Sequence, residues 1–132
     1  MVKEMDYRDK VVLVTGGAKG IGKAIGNEYL VLGATVIIAD IDATGSEAAV
    51  QKKRKKGFKA DAHTIDLQDT VAIEKMFETL VAKYRKIDIL INNAGKGIFK
   101  PMHELTTDEW NEVINLNLRA TFVASREFAR YN

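Results

Sequence analysis

The feature that most constrains the fold of this chain is a regular alternation of short apolar runs with longer segments of helical periodicity. The runs, such as VVLVT at 11–15, are typical of buried strands. The segments between them repeat apolar residues every three or four positions, as amphipathic helices do. Strands that alternate with helices over short connections favour a parallel sheet with helices on both faces. The sequence therefore predicts a doubly wound α/β fold in one domain, residues 1–132.

The predicted elements follow one another closely. Strands are predicted at 11–15, 34–40, 58–66 and 87–92, and helices at 20–32, 43–56, 70–84 and 107–131. Gly33 is expected to end the first helix, and Thr106 with Glu109 fits a capping box at the start of the last one. The fourth strand, IDILIN, is apolar nearly throughout, as expected of a strand covered on both faces. The expected strand order is 3-2-1-4.

Composition and charge argue against several classes of function. A net charge of +2 is too small to indicate nucleic-acid binding. The basic run KKRKK at 52–56 is typical of a solvated helix end before Gly57, with a phosphate-binding or localisation patch as the alternative. The chain has no cysteine and only two histidines, so no metal site is predicted. The opening MVKEMDYRDK lacks the apolar core of a secretory signal, and no apolar run has the length of a membrane span, so we expect a cytoplasmic protein.

Four glycines stand within the eight residues TGGAKGIG, 15–22, between the first strand and the first helix. At such a turn, free backbone N–H groups and the positive end of the helix dipole favour a phosphate. Gly16, Gly20 and Gly22 stand where a tight turn, a close pyrophosphate and close helix–strand packing would need them. The spacing G-x-x-x-G-x-G differs from the common G-x-G-x-x-G dinucleotide pattern, so a plain tight turn is the alternative.

Two further features lie where a bound dinucleotide would need them. Asp40 ends the second strand and could accept hydrogen bonds from the adenosine ribose. Alternatively, Asp40 or Asp42 caps the following helix. NNAG, 92–95, ends the fourth strand, which neighbours the first in this order, so the two strand ends would frame a ligand crevice. Asn92 and Asn93 could otherwise be simple turn residues.

These residues together resemble the short-chain dehydrogenase/reductase family. TGGAKGIG corresponds to the family's T-G-x-x-x-G-x-G cofactor turn, and Asp40, the pair Asp66-Leu67, NNAG and NLNL (115–118) follow in the family's order. The resemblance implies a Rossmann-like fold and reversible hydride transfer between a nicotinamide cofactor and an alcohol/ketone pair of sugar, polyol or 3-oxoacyl type. It implies cofactor binding by Gly16, Lys19, Gly20, Ile21, Gly22, Asp40, Ile41, Asp66, Leu67, Asn92, Asn93, Ala94 and Gly95.

The resemblance also assigns Asn117, in NLNL, to the family's active-site asparagine, which positions a water in a proton relay. From the pattern alone, Asn117 shares a helix face with mainly apolar residues, and a buried amide there needs hydrogen-bond partners. It could therefore be a core asparagine with satisfied hydrogen bonds, or one that bonds the backbone where the helix bends.

The expected cofactor is NAD. Lys19 is a position where NADP-preferring relatives often carry a basic residue, which favours NADP. Asp40, however, would face the 2′-phosphate of NADP directly, and a carboxylate that faces a phosphate is costly. We therefore expect NAD, with NADP less favoured.

The acid–base pair of the family, Tyr-x-x-x-Lys, does not occur in this sequence. Four positions after Tyr7, Tyr29 and Tyr84 stand Val11, Gly33 and Asp88. In the family the serine, tyrosine and lysine follow the helix at which this sequence stops. The resemblance thus implies the amino-terminal, cofactor-binding half of such an enzyme, with a non-catalytic dinucleotide-binding module or an inactive fragment as the alternative.

Self-association is expected from two apolar surfaces. The strand at 87–92 would be an unpaired sheet edge, which invites strand addition. The helix at 107–131 carries apolar residues on most of its sides, as a helix does when it is buried on most sides. Nucleic acid and membrane are not expected partners.

Overall fold

Four parallel strands form the sheet of this protein in the order β3-β2-β1-β4, within the residues 5–132 that a computed structural model describes. The strands are β1 (Val11–Thr15), β2 (Thr35–Asp40), β3 (Ala60–Thr64) and β4 (Ile89–Ile91). The order predicted from the sequence is confirmed. Residues 1–4 lie outside the described residues. They are part of the opening MVKEMDYRDK, for which the sequence predicts no secretory signal.

Helices connect the strands. They are α1 (Gly20–Val31), α2 (Ala43–Lys55), α3 (Thr70–Tyr84), α4 (Thr107–Ile114) and α5 (Ala120–Arg130), with a short 3₁₀ turn at Met102–Glu104. The predicted capping box is confirmed, because the Thr106 hydroxyl accepts the Glu109 N–H and the Glu109 carboxylate accepts the Thr106 N–H. Over residues 5–132, no helix has both the length and the apolar content that a bilayer span requires.

Helices cover both faces of the sheet because strand side chains alternate between the faces. On one face, Leu13 and Ile37 pack in a cluster with Phe77 of α3 and with α5. On the other, Val12 and Val36 pack with α1 and α2. Phe77 is fully buried, and full burial of one such side chain stabilises a fold by about 1.5–3 kcal/mol. The predicted doubly wound architecture is therefore observed.

The outer strands are shorter than the sequence predicts. β3 begins at Ala60 rather than 58, because the Phe58 N–H is bonded to the Lys53 carbonyl in the turn that ends α2. β4 covers only Ile89–Ile91 rather than 87–92, because the Asn93 N–H bonds to the Thr15 hydroxyl instead of a strand carbonyl. β4 packs on both faces of the sheet, as its apolar sequence predicts: Leu90 contacts the cluster that contains Leu13, and Ile89 and Ile91 contact the cluster that contains Val12. Its three side chains are nevertheless only partly buried, and β1 is the one strand that pairs with it in the described part of the chain.

The predicted helix at 107–131 is interrupted by a π turn at Asn115–Arg119. The Ala120 N–H bonds to the Asn115 carbonyl, five residues back. A wider turn contains an extra residue and shifts the helix faces that follow it. Asn117, which lies in this turn, is exposed, so the expectation that it lies buried in an apolar stripe is wrong.

The basic run at 52–56 forms the exposed end of α2, as predicted. Lys52, Lys55 and Lys56 are exposed, and the helix ends before Gly57, whose φ is +86°. Arg54 turns back to the next strand, where its guanidinium bonds to the Ala60 carbonyl and to Asp61.

Candidate dinucleotide site

A cavity of about 510 Å³ opens at the carboxyl ends of the strands. The turn after β1, the end of β2, the loops after β3 and β4, and the α4 region form its walls. The structure brings together in this lining most of the residues proposed from the sequence for the cofactor: Gly16, Lys19, Ile21, Asp40, Ile41, Asp66, Leu67, Asn93, Ala94 and Gly95.

The other proposed residues, Gly20, Gly22 and Asn92, do not line the cavity. Gly20 begins α1 with φ +62°, and a Cβ built on it would meet no atom of the described residues within 4 Å. A Cβ on Gly22 would lie 2.3 Å from Asn93 Nδ2 and 2.5 Å from the Gly16 carbonyl oxygen. Gly22 therefore allows α1 to pack closely against the two turns. The Asn92 amide donates to the Ser125 hydroxyl (3.1 Å).

Thr15 and Asn93 join the turn after β1 to the turn after β4. Asn93 Nδ2 donates to the carbonyl oxygens of Thr15 and Gly16, each at 3.1 Å. The buried Thr15 hydroxyl accepts the N–H groups of Asn93 and Ala94, each at 3.0 Å. Asn93 is thus more than a turn residue. Thr15 was not among the site residues proposed from the sequence. Its position directly before the glycine turn could have indicated that it takes part in the site.

Asp40 is held by the backbone at the end of β2. One carboxylate oxygen accepts the Ala18 N–H (3.1 Å) and the other accepts the Asp42 N–H (3.0 Å). Asp42, not Asp40, caps α2, by accepting the Gly45 N–H (2.9 Å). An ionised carboxylate has about four acceptor positions, so these two backbone donors leave Asp40 able to accept hydrogen bonds from a ligand.

The N-terminus of α1 suits an anion. Its N-cap residue, Lys19, makes no side-chain capping bond, and the first turn carries no acidic residue. Asp42, Asp69 and Thr106 cap α2, α3 and α4 with their side chains. The first N–H groups of a helix have no partner inside it. At α1 these groups lie beside the cavity, next to the open space over Gly20, so the site fits the pyrophosphate of a dinucleotide.

Asn117 holds the backbone of the loop after β4. Its Oδ1 accepts the Lys96 N–H (2.9 Å), and its Nδ2 donates to the Lys96 carbonyl (2.8 Å). Its own carbonyl, within the π turn, accepts the Thr121 hydroxyl (3.1 Å). This arrangement agrees with the alternative in which Asn117 bonds backbone where the helix is irregular.

Sequence reasoning did not identify several other residues of the lining: Ile65, Gln68, Lys96, Glu112 and Leu116. The ammonium of Lys96 pairs with the Glu112 carboxylate and joins the loop after β4 to α4. Glu112 and Leu116 stand four positions apart, as residues on one helix face do. That spacing is a weak signal, because it does not show which face borders a cavity.

The chain matches a known family and its members. A family model described as short chain dehydrogenase matches residues 10–131. The chain is 36% identical over 126 residues to a D-threitol dehydrogenase of Mycolicibacterium smegmatis, covering 91% of this chain and 47% of that protein. It is 34% identical over 127 residues to the 3-oxoacyl-(acyl-carrier-protein) reductase FabG of Thermotoga maritima, covering 96% and 52%. The chain thus spans about half the length of the curated relatives it matches.

A solved structure leaves the choice between NAD and NADP unresolved. A metagenomic short-chain oxidoreductase in complex with NADP matches with a TM-score of 0.91 at 33% identity, over 95% of this chain and 57% of that one. The expectation that NADP is less favoured than NAD is therefore not upheld. The physical reason is that Lys19 lines the same cavity as Asp40, so the charge of Asp40 does not act alone.

The family match covers nearly the whole chain, and the sheet order and the cavity at the carboxyl ends of the strands agree with it. This chain belongs to the short-chain dehydrogenase/reductase family.

Proposed function

We propose that this chain provides the dinucleotide-binding part of an NAD(P)-dependent oxidoreductase that acts on an alcohol/ketone pair. The observation that carries the proposal is the cavity at the carboxyl ends of the strands, with the uncapped N-terminus of α1 beside it. When bound, a nicotinamide cofactor supplies or accepts the hydride of the reaction. The chain's own residues bind and orient it.

The pyrophosphate would be held by the turn after β1 and the first turn of α1. The free N–H groups at this helix end and the helix dipole both favour an anion. The positive φ of Gly20 and the open space beside it keep side chains away from the approaching phosphates. Lys19, which is exposed at the cavity, adds a positive charge.

The adenosine end would lie on the β2–β3 side of the cavity. There Asp40 has acceptor capacity for ribose hydroxyls, and Ile41, Ile65 and Leu67 offer apolar contacts for the base. Asp40 favours NAD and Lys19 favours NADP, so the preference depends on the balance between these two charges.

The nicotinamide end would lie on the β4 side, along residues 93–96. Asn117 would contribute here as the residue that fixes the Lys96 backbone, and in the proposed relay it would also position a water. A sugar, a polyol or a 3-oxoacyl compound is the proposed substrate, a range that the D-threitol dehydrogenase and the 3-oxoacyl reductase among the relatives support. A cytoplasmic location stays a prediction.

A second candidate is dinucleotide binding without catalysis by the 132-residue chain. It is favoured by one observation, that no tyrosine of this sequence has a lysine four positions later. The two candidates agree on binding and differ in turnover. Oxidation of a polyol or reduction of a 3-oxoacyl substrate by the purified chain would exclude the second one.

Calorimetric titration of the chain with NAD⁺ and NADP⁺ tests the proposal, with two matched glycine variants. Gly20 and Gly57 both have positive φ, and a Cβ on either would meet no atom within 4 Å in the part of the chain that the structure describes. Gly20→Ala and Gly57→Ala should therefore cost similar stability, about 1–2 kcal/mol for a left-handed residue. Only Gly20→Ala should weaken dinucleotide binding, by about tenfold or more, because of the two glycines only Gly20 lies at the helix end where the pyrophosphate is proposed to bind. Absence of binding to the folded wild type, or equal loss in both variants, would contradict the proposal.

We also propose self-association, through the edge strand β4 or the α4–α5 region. In β4 the side chains are only partly buried. On the helix side, Leu118 and Phe122 are 64% and 61% exposed. Such large exposed apolar groups, four positions apart in the sequence, favour contact between copies of the chain.

A further inference from the structure

One helical turn lies between the two loops that border the cavity. Asn117 holds the Lys96 backbone in the loop after β4. Two positions further on, the Arg119 guanidinium donates from Nη2 to the Gln68 carbonyl oxygen (2.8 Å) in the loop after β3. Side chains two positions apart on a helix do not face the same side. The two side chains of the π turn at 115–119 therefore contact different loops, Asn117 the loop after β4 and Arg119 the loop after β3.

The loop after β3 forms a continuous part of the cavity wall, since residues 65–68 all line it. Asp66 organises this loop from within: its carboxylate accepts the Gln68 N–H (2.9 Å) and its carbonyl accepts the Asp69 N–H (3.1 Å). Asp69 then caps α3. The Gln68 carbonyl instead accepts its hydrogen bond from Arg119, which is 51 residues away in the sequence.

We propose that Arg119 is a positioning residue that holds the loop at 65–68 in place and thereby sets the affinity for the adenosine end of the dinucleotide. This inference rests on the proposed function, which puts adenosine on that side of the cavity. Arg119 is not part of the cavity lining, so it acts through the Gln68 backbone rather than on the ligand. A hydrogen bond from a charged donor is about twice as strong as a neutral one.

The alternative explanation for any effect of Arg119 is its charge, which would attract any phosphate-bearing ligand. Adenosine monophosphate and nicotinamide mononucleotide separate the two explanations, because each carries one phosphate but they represent opposite ends of the cofactor. If the charge of Arg119 is responsible, its removal weakens the binding of both mononucleotides, and the effect depends on salt concentration. If loop positioning is responsible, only the binding of adenosine monophosphate becomes weaker.

The test is an NMR titration of the labelled 132-residue chain with each mononucleotide, together with amide hydrogen exchange. For Arg119→Met we expect the Kd of adenosine monophosphate to rise about three- to tenfold, as loss of a hydrogen bond to a charged group would allow, and that of nicotinamide mononucleotide to stay unchanged. Amide exchange at residues 66–69 should become faster without a matching fall in Tm. Arg119→Lys, which keeps a charged donor, should recover part of the affinity. Lys75→Met, at an exposed position of α3, removes the same charge and should change neither Kd.

Several outcomes would overturn the inference. One is an unchanged Kd for adenosine monophosphate in Arg119→Met, and another is an equal loss for both mononucleotides. If Arg119→Met does not fold, Arg119→Gln, which is shorter and uncharged, takes its place with the same expected results. Absence of all nucleotide binding by the wild type would overturn the proposed function and this inference with it. Binding that the Arg119 variants leave unchanged overturns the inference alone.

Discussion

Asn93 donates a hydrogen bond from Nδ2 to the carbonyl oxygen of Gly16 (3.1 Å), and so joins two turns that are 77 residues apart in the sequence. The same Nδ2 donates to the Thr15 carbonyl. It also lies only 2.3 Å from where a Cβ on Gly22 would stand. The side-chain amide of Asn93 therefore packs between the glycine turn after β1 and the first turn of α1, and it holds the turns after β1 and β4 together.

Asn93→Ala should lower both stability and dinucleotide affinity. The substitution removes the side-chain donor from two backbone carbonyls, and an unsatisfied buried acceptor costs about 1–3 kcal/mol. Urea unfolding measures the stability, and titration with NAD⁺ or NADP⁺ measures the affinity. Asn92→Ala is the matched control, because within residues 5–132 the Asn92 amide bonds only to the Ser125 hydroxyl. Its effect should stay within about 0.5 kcal/mol, as for most surface substitutions. Equal effects of the two variants would contradict the role assigned to Asn93.

Gly22→Ala should destabilise the fold because its methyl group has no space. The new Cβ would lie 2.5 Å from the Gly16 carbonyl oxygen, so α1 or the turn must move, at about 1–3 kcal/mol. Gly26→Ala, one turn later in α1, places its Cβ 3.4 Å from Val36, near ordinary contact. Alanine also favours the helix over glycine by about 1 kcal/mol, so this control should be neutral or stabilising. Thermal unfolding of both variants decides the matter, and a Gly22→Ala protein as stable as the wild type would refute the packing argument.

Asp40→Ala should shift the cofactor preference toward NADP. The carboxylate is the proposed acceptor for the ribose hydroxyls of NAD, and hydrogen bonds to a charged group contribute about 1.5–3 kcal/mol. We expect NAD⁺ affinity to fall about tenfold or more and NADP⁺ affinity to fall less or to rise. Asp42→Ala is the control, since Asp42 caps α2. It should cost about 0.5–2 kcal/mol of stability without changing the ratio of the two affinities. A ratio that moves equally in both variants would remove Asp40 from the proposed role.

Asp61 should make the protein sensitive to acid. Its carboxylate joins the edge strand β3 to α2 and α3 by accepting hydrogen bonds from Arg54, Lys83 and Tyr84. Burial raises the pKa of Asp61, but the hydrogen bonds from Lys83 and Tyr84 outweigh it, so the pKa lies below the ordinary value. A carboxyl group with a lowered pKa in the folded state contributes stability above its unfolded pKa, about 3.9. That contribution is lost as pH falls through the folded value.

The measurement compares urea unfolding of the wild type and Asp61→Asn at pH 7 and near pH 3. At pH 7 the variant should be less stable by about 1–2 kcal/mol, as for loss of hydrogen bonds to a partly exposed charged group. The difference should shrink at the acid end. The pKa of Asp88 also lies below its ordinary value. Burial raises this pKa, but the hydrogen bonds from the Val11 N–H and the Lys86 ammonium lower it by more than burial raises it. Asp88 is present in both proteins, so its effect cancels. A difference that does not depend on pH would contradict the prediction.

Phe122→Glu should reduce self-association. Phe122 of α5 and Leu118 of the preceding π turn stand four positions apart in the sequence, and both are largely exposed. A carboxylate in a contact between copies would have to be desolvated, which is unfavourable. Val71→Glu is the control, because Val71 of α3 is also exposed but lies on a different helix. Sedimentation over a range of concentrations measures the association. A wild type that is monomeric throughout, or equal effects of both variants, would contradict the proposed surface.

The sequence determined those features that depend on residues close together in the chain. The start of α4 at Thr106 follows from a capping side chain three positions before the N–H group that it accepts, and Asp42 is one of the two residues that the sequence offered as the cap of α2. The parallel sheet follows from apolar runs that alternate with helices, and the strand order 3-2-1-4 is the one that the Rossmann type of doubly wound fold has. The gathering of Gly16, Asp40 and Asn93 around one cavity could also be predicted, because the carboxyl ends of parallel strands meet at one edge of the sheet.

Only the tertiary structure decided how these parts meet. An uninterrupted helical period predicted a buried Asn117, but this residue lies exposed in a π turn, and its amide bonds to the Lys96 backbone. β4 ends early because the Thr15 hydroxyl accepts the Asn93 N–H, and the Gln68 carbonyl in the cavity wall accepts a hydrogen bond from Arg119. Each of these bonds joins groups distant in sequence. Periodicity and capping record only neighbours a few residues apart, so no local pattern could reveal which distant donor satisfies which acceptor.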